Sequence, residues 1–570
     1  MRSPKQLLLL AVAVLLIGRY YYWQSRITGG RFEENRDLNG YYDLLGRALA
    51  SGHTYLPIDP APEMMRLQNP WDPQQNLQWR MHDSVLFNGR YYLYHGVVPA
   101  VLLFAPWRIL TGYDLPQHFG LFLILCAGFL FWVGAVVRVR GPGWTSVLAA
   151  VAFGLCCATP YLLNRIDVYE IAIGGGFLCV GAGMFFLAGR QYGLAGFCFG
   201  LAVGCRPHLG LVGSFGFVLL IVQRRSRAEL LRFALPMAVC IAALGAYNFA
   251  RFGNPLEFGM RYMLAGDLRH QKLNLSVSNL LPGLYYYIWS PPELQPVFPW
   301  IRTVMRLPSQ LVFPPGYFLE GTVGLLFFAP ACLLAFRATS GLARMTALAG
   351  FALLVFHIGT GFTTQRYFPD FAPLLIFTVA VSCTGRIMHA VFAVAVIWGA
   401  SVNMMAALAG PWQDYLKKRP DSYLRLARTF SPTAHVRPVK DPPLDITLEA
   451  TPEPLPDGLK HPLLSLGRDA YRYLLYVEHK DHKVSVISKT DESAVPCASG
   501  LPESVSLRVH MVYDTTAQTM RISVNGGPPV EHKTGLLITA PAQVQIGATD
   551  RFYYEVSVPA FVGKIAQMPR

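Results

Sequence analysis

The side chains able to do chemistry in this chain gather beside long apolar runs. Directly after the first run comes Asp37-Leu38-Asn39-Gly40-Tyr41-Tyr42-Asp43-Leu44-Leu45-Gly46-Arg47-Ala48-Leu49-Ala50-Ser51-Gly52. Leu44, Leu45, Ala48 and Leu49 are spaced for one face of a helix, and Gly52 supplies its stop. At the head of this segment, the Asp37 carboxylate can take the proton of an attacking hydroxyl. Equally, it can cap the helix and complement its dipole. Asp43 reads as a solvated helix residue.

Three further groups stand out. In Tyr94-His95-Gly96, His95 either binds a phosphate or hydroxyl group or caps the helix that follows. Asn164-Arg165-Ile166-Asp167-Val168-Tyr169-Glu170 carries two acids into an apolar run, where a charge is costly unless it faces a polar cavity. Asp167 and Glu170 therefore either face such a cavity or act as interfacial anchors. The cations are Arg206 in Cys205-Arg206-Pro207-His208, Arg251 and Arg261 in ARFGNPLEFGMRY, and Arg366 with Tyr367 in TTQRYFPD. A guanidinium fork matches a phosphate. Arg206 and Arg366 rank first because each sits at an outer helix end beside apolar runs; the alternative is that they snorkel.

The elements that must position these groups are membrane helices. The 570 residues are 53% hydrophobic and 15% charged, which favours lipid over water as solvent. Apolar runs occur near residues 7–23, 119–137, 145–162, 171–188, 191–204, 208–222, 232–250, 317–336, 345–362, 368–384 and 387–409, predicting about eleven spans. Arg2 and Lys5, Arg138 and Arg140, Arg190, the arginines from 224 to 232, Arg337, Arg344 and Arg386 fall in every second short connection. Those connections are expected in the cytoplasm, together with the N-terminus. Segments 24–118 and 251–315 and everything after 410 then lie outside. The run 97–112, with two prolines, is expected to lie in the interface as an amphipathic helix.

After residue 410 the long apolar runs stop. A linker over 411–440 and a β-sandwich over 441–570 are expected, following a transmembrane domain over 1–410. Strands are read at Tyr471–Val477, Val484–Ile487, Leu507–Tyr513 and Met520–Val524, with a turn at Asn525-Gly526-Gly527.

Several functions are excluded. The net charge of +15 is spread over membrane-flanking loops, so no nucleic acid is implied. The glycines at 174–176 and 181–183 follow no strand and read as helix packing, not a nucleotide loop. No nucleophile elbow or HExxH is present. His479–His482 reads as an exposed turn without a partner set at metal spacing. Nine of the ten cysteines lie in or beside apolar runs, which does not support a disulfide framework.

The Asp37–Gly52 segment resembles the first-loop motif of GT-C glycosyltransferases, including aminoarabinose and protein mannosyl transferases. That motif is Asp-Glu, a Tyr shortly after, then a helix ending in Leu-x-Ser-Gly. The resemblance implies that Asp37 is the catalytic carboxylate and Tyr41 the motif tyrosine; Leu38 replaces the second acid. It also implies a polytopic GT-C-like helical fold and inverting sugar transfer from a polyprenyl-phosphate donor to a glycan, lipid or protein acceptor. The reaction would occur on the outer face of a bacterial cytoplasmic membrane. A divalent cation is left open, and substrate contacts would fall to Tyr41, His95, Asp167, Glu170, Arg206, Arg366 and Tyr367. The tail SLRVHMVYD…MRISVNGG resembles laminin-G or concanavalin-like jelly rolls. The rival readings are a lipid-linked glycan flippase and a non-catalytic glycan-binding membrane protein.

Overall fold

The computed structural model describes residues 4–28, 40–94, 96–166, 168–294, 298–303, 311, 313–410, 415, 419–430, 444–466, 473–490, 493–503, 505–514, 516–534, 544–549 and 560–568. The expectations for Asp37, His95 and Asp167 lie outside these residues. Two compact units divide the chain, one made of Met1–Glu293, Ile301–Thr303 and Val312–Gly410, the other of Leu294–Trp300, Val304–Leu311 and Pro411–Arg570.

Among the described residues of the first unit, seven helices are long and apolar enough to cross a membrane: Pro4–Gln24, Gln117–Arg140, Trp144–Leu162, Val168–Ala188, Arg227–Phe252, Gly341–Gly359 and Arg386–Ala409. Their solvent is written on their surfaces. Arg227–Phe252 leaves Leu231, Leu235, Val239, Ile241 and Phe249 exposed, and Pro4–Gln24 does the same with Leu7, Leu8, Leu15 and Leu16. Apolar surface on that scale belongs in lipid. The chain is a polytopic helical membrane protein.

Close packing joins the helices. A Cβ at Gly181 would stand 2.8 Å from the Trp132 ring, so the glycine brings Val168–Ala188 against Gln117–Arg140. On the first helix, Leu10, Ile17, Tyr21 and Gln24 form the buried stripe. The Tyr21 hydroxyl donates to Thr159 at 2.7 Å.

Of the eleven expected runs, seven form helices of full crossing length among the described residues. Tyr192–Cys205, Pro207–Val222 and Phe368–Ser382 are shorter than a full crossing. Residues 317–336 form no continuous helix: Phe318–Leu319 pairs in parallel with Phe362–Thr363, a four-residue helix follows at Leu325–Phe328, and a 3-10 helix at Pro330–Arg337. Pro330 lacks the N–H that would continue the preceding turn.

The 97–112 run forms a π-helical turn, Ala100–Phe104, leading into Ala105–Thr111. Pro106 has no N–H for an i−4 carbonyl, and such a gap is where a helix widens. Phe104 and Ala105 are buried, while Val101, Leu102, Ile109 and Leu110 are exposed.

The helix expected over 37–52 is seen at Tyr42–Ala50. Asp43 is not solvated but buried, at 5% exposure. Burial pushes its carboxyl up to about 6, against the lowering influence of nearby backbone N–H groups.

The second unit holds a β-sandwich. One five-stranded sheet runs Ala494–Pro502, Lys483–Thr490, Tyr473–Lys480, Lys460–Leu466, Gln545–Ile546; the other runs Val530–Lys533, Thr519–Val524, Leu507–Asp514, Asp445–Pro452, Gly563–Gln567. Every pairing within them is antiparallel. Alternate residues of both sheets, among them Leu448, Leu475, Val477, Val486, Val509, Met511 and Ile522, fill one core. The expected strands are present. His479, however, is a fully buried strand residue; only Asp481 and His482 form the turn, both at positive φ.

Candidate functional site

The site forms where several apolar helices end. Tyr192–Cys205 stops at Arg206 because Pro207 disfavours helical backbone in the residue before it. Arg206 is therefore extended, with φ −150° and ψ 115°, and Pro207 opens a 3-10 turn carrying His208. His357 lies in the last turn of Gly341–Gly359. The chain then pairs at Phe362–Thr363 and turns through Gln365–Tyr367, where the Thr364 hydroxyl accepts from the Arg366 N–H. It enters Phe368–Ser382, whose first turn holds Asp370. Glu170 occupies the first turn of Val168–Ala188. Both acids suit the positive end of a helix. Glu320 follows the strand Phe318–Leu319 and its N–H donates to the Thr363 carbonyl at 2.8 Å.

These elements bring together two linked groups of charges. Arg366 bridges two carboxylates, with Nη1 2.8 Å from Glu170 and Nη2 2.8 Å from Glu320. Thr364 also donates to Glu320. Four residues on, Asp370 Oδ2 lies 2.9 Å from Nε2 of His208, 2.9 Å from Nε2 of His357 and 3.4 Å from Nε of Arg206. Tyr367 joins the groups: its ring stacks on His357 at 4.9 Å, and the Arg206 guanidinium lies 4.5 Å above it.

Arg206 is the cation with capacity to spare. Its Nε faces Asp370, while its two terminal nitrogens have no hydrogen bond among the described residues, and the side chain is 14% exposed. Arg251 is different, buried with Nη1 donating to the Leu93 carbonyl and Nη2 to Asn248. Arg261 pairs on the surface with Glu257.

An outer layer carries Tyr41. Its hydroxyl donates to the His82 carbonyl. The next residue, Asp83, is held at φ +56° and sets its carboxylate against Tyr169. Tyr169 meets the Tyr94 hydroxyl at 3.3 Å and lies 4.9 Å beneath Arg366. Positive φ is strained for a non-glycine residue, and such strain concentrates at functional sites.

Of the residues singled out from sequence, the structure thus gathers Glu170, Arg206, Arg366 and Tyr367, and links Tyr41 through His82 and Asp83. Sequence reasoning missed Glu320, Asp370, His208, His357 and Asp83. The available signal was an ionisable group at the edge of an apolar run: His208 stands two residues from Arg206, and Asp370 four from Arg366. His208, His357 and Asp370 offer three potential metal-ligand atoms within 4.8 Å of one another.

The sequence matches no family model and no curated protein. Among solved structures it is similar to the archaeal oligosaccharyltransferase AglB from Archaeoglobus fulgidus, determined with an inhibitory peptide and a dolichol-phosphate. The identity is 13% and the TM-score 0.38, over 75% of this chain and 59% of that one. This chain thus spans about three fifths of that protein's length. At this score the likeness places no residue of the site.

Proposed function

We propose that the chain is a membrane glycosyltransferase of the GT-C kind, moving a sugar with inversion from a polyprenyl-phosphate donor to a glycan, lipid or protein acceptor outside the bacterial cytoplasmic membrane. One observation carries the reading: Arg206, at the end of an apolar helix, keeps two terminal nitrogens uncommitted beside a buried acidic and basic cluster. A lipid-borne phosphate needs such a cation at the depth where its headgroup travels. The first-loop motif supplies the base.

In this mechanism the Asp37 carboxylate accepts the proton of the acceptor hydroxyl as its oxygen attacks the anomeric carbon. The bond from that carbon to the phosphate oxygen breaks on the opposite face, and the phosphate leaves with the bonding pair. Arg206 neutralises the departing charge. Arg366, fixed between Glu170 and Glu320, holds the wall of the site.

The test is transfer of labelled sugar from a polyprenyl phosphate in reconstituted vesicles. Asp37→Asn should abolish turnover with folding intact. Arg206→Ala should lower turnover at least a hundredfold, and Arg206→Lys should recover part of it. Full transfer by Asp37→Asn would remove the mechanism.

A further inference from the structure

The contacts around Asp370 are lopsided. Two imidazole nitrogens and a guanidinium converge on Oδ2, whereas Oδ1 is buried without a hydrogen-bond partner among the described residues. An empty buried oxygen forfeits solvation without return. Glu320 is equally lopsided, with Oε1 empty among the described residues, but its donors are a guanidinium and a hydroxyl; two of the three groups on Asp370 are imidazole nitrogens, which can themselves ligate a metal. A carboxylate that ligates a cation through one oxygen has this asymmetry by nature.

We propose that His208 Nε2, His357 Nε2 and Asp370 Oδ2 form a binding site for a borderline divalent transition metal of the zinc class. Two imidazoles and one carboxylate are a donor set such ions take, with a further position left for water or ligand. Tetrahedral bonds of zinc length set neighbouring ligand atoms about 3.3 Å apart. Both nitrogen-to-oxygen separations here are 2.9 Å, a few tenths of an ångström from that spacing.

The protein holds the three donors in place. Asp370 is fully buried, His357 is 1% exposed and His208 14% exposed. His208 is stacked on Phe356, and His357 on Tyr367. Three chain segments contribute: the turn after Tyr192–Cys205, the end of Gly341–Gly359 and the start of Phe368–Ser382. Arg206, at 3.4 Å, is too long for a strong bond and instead orients the carboxylate from outside, as second-layer partners of ligating carboxylates do. Nδ1 of His357 has no partner among the described residues, so nothing there prevents Nε2 from presenting its lone pair. The site stands on its own geometry and does not depend on the glycosyl-transfer reading.

The experiment uses the full chain in lipid nanodiscs, stripped with chelator, reloaded with Zn²⁺ or Co²⁺, and read by metal content and the visible Co²⁺ spectrum. Glutamine in place of either histidine retains an N–H donor for Asp370, so a purely hydrogen-bonded cluster survives while a metal site does not. One equivalent should bind the native chain. His208→Gln and His357→Gln should each weaken binding at least tenfold while keeping the thermal midpoint of the stripped native protein. His461→Gln, in the β-sandwich, should leave binding unchanged. Failure of the reloaded native chain to take up metal, or equal uptake by both glutamine variants, would overturn the proposal.

Discussion

Both units of this protein bury polar side chains, yet they do it with different chemistry. In the β-sandwich the buried polar groups are mostly imidazoles and hydroxyls joined in chains of hydrogen bonds, one of which ends on the Glu503 carboxylate, 3.5 Å from His479 Nδ1. The Val562 N–H donates to His461 Nδ1 at 2.9 Å, which leaves His461 Nε2 to donate to His479 Nε2 at 3.1 Å. Ser488 and Ser493 likewise hold the two nitrogens of His532 at 2.6 and 2.7 Å. In the helical unit, by contrast, Arg366 stands between two buried carboxylates and Asp370 faces Arg206. Neutral bonds satisfy buried atoms at small cost, whereas charges taken out of water cost several kcal/mol each. A fold can satisfy its buried polar groups without the second arrangement, so its presence at converging helix ends singles that place out as the candidate site.

The sharpest way to break this contrast is to remove the central cation. Arg366→Met leaves Glu170 and Glu320 buried without their partner and should destabilise the helical unit by about 3–5 kcal/mol. Adding Glu170→Gln and Glu320→Gln should restore much of that loss, because neutral amides carry no buried charge. Thermal midpoints in detergent decide it; an unaltered midpoint for Arg366→Met would show that these charges are solvated.

Acid should then separate Asp43 of the helical unit from His461 of the sandwich by sign. Asp43 titrates near 6 when folded and near 3.9 when unfolded, so its folded form holds the proton more tightly. The associated stability is present below about pH 4 and is lost as pH rises towards 6. Asp43→Asn should consequently stabilise the helical unit at pH 7 by about 2–3 kcal/mol and have little effect at pH 4. Unfolding curves at the two pH values measure this, and a stabilisation equal at both would refute the buried carboxyl.

The smallest effect belongs to the β-sandwich and runs the other way. Burial, then the neighbouring His479, lowers His461 to about 4, below its unfolded value near 6.5. Its stability contribution is complete above about 6.5 and disappears as pH falls towards 4. Between pH 7 and 5 the sandwich should lose about 1–2 kcal/mol, and His461→Gln should flatten that slope. Tyrosine fluorescence or hydrogen exchange in strand Tyr473–Lys480 would follow it; protection independent of pH would show that burial does not lower His461.

The charged residues legible in sequence were those with a local cue. Arg206 precedes a proline at the end of an apolar run, Arg366 stands just ahead of the apolar run that begins at Phe368, and Glu170 heads a helix. Their partners had no such cue. His208 and Asp370 are 162 residues apart, and Glu320 comes from a segment whose apolar composition predicted a membrane helix. Asp43 failed differently, because an acid in the first turn of an amphipathic helix has the pattern of a solvated residue until the packing around it is known.

What the amino-acid sequence determines by itself is the solvent and the class of element. Long apolar runs require lipid and hydrogen-bonded helices, and short alternating runs after residue 410 require sheets with one buried face. Only the tertiary structure decided that 317–336 breaks into a strand and short turns, because the parallel pairing with Phe362–Thr363 is a non-local hydrogen-bond choice. It likewise decided which charges meet. A side chain's ionic partner is set by how helices pack in three dimensions, and periodicity along one chain carries no record of that distance.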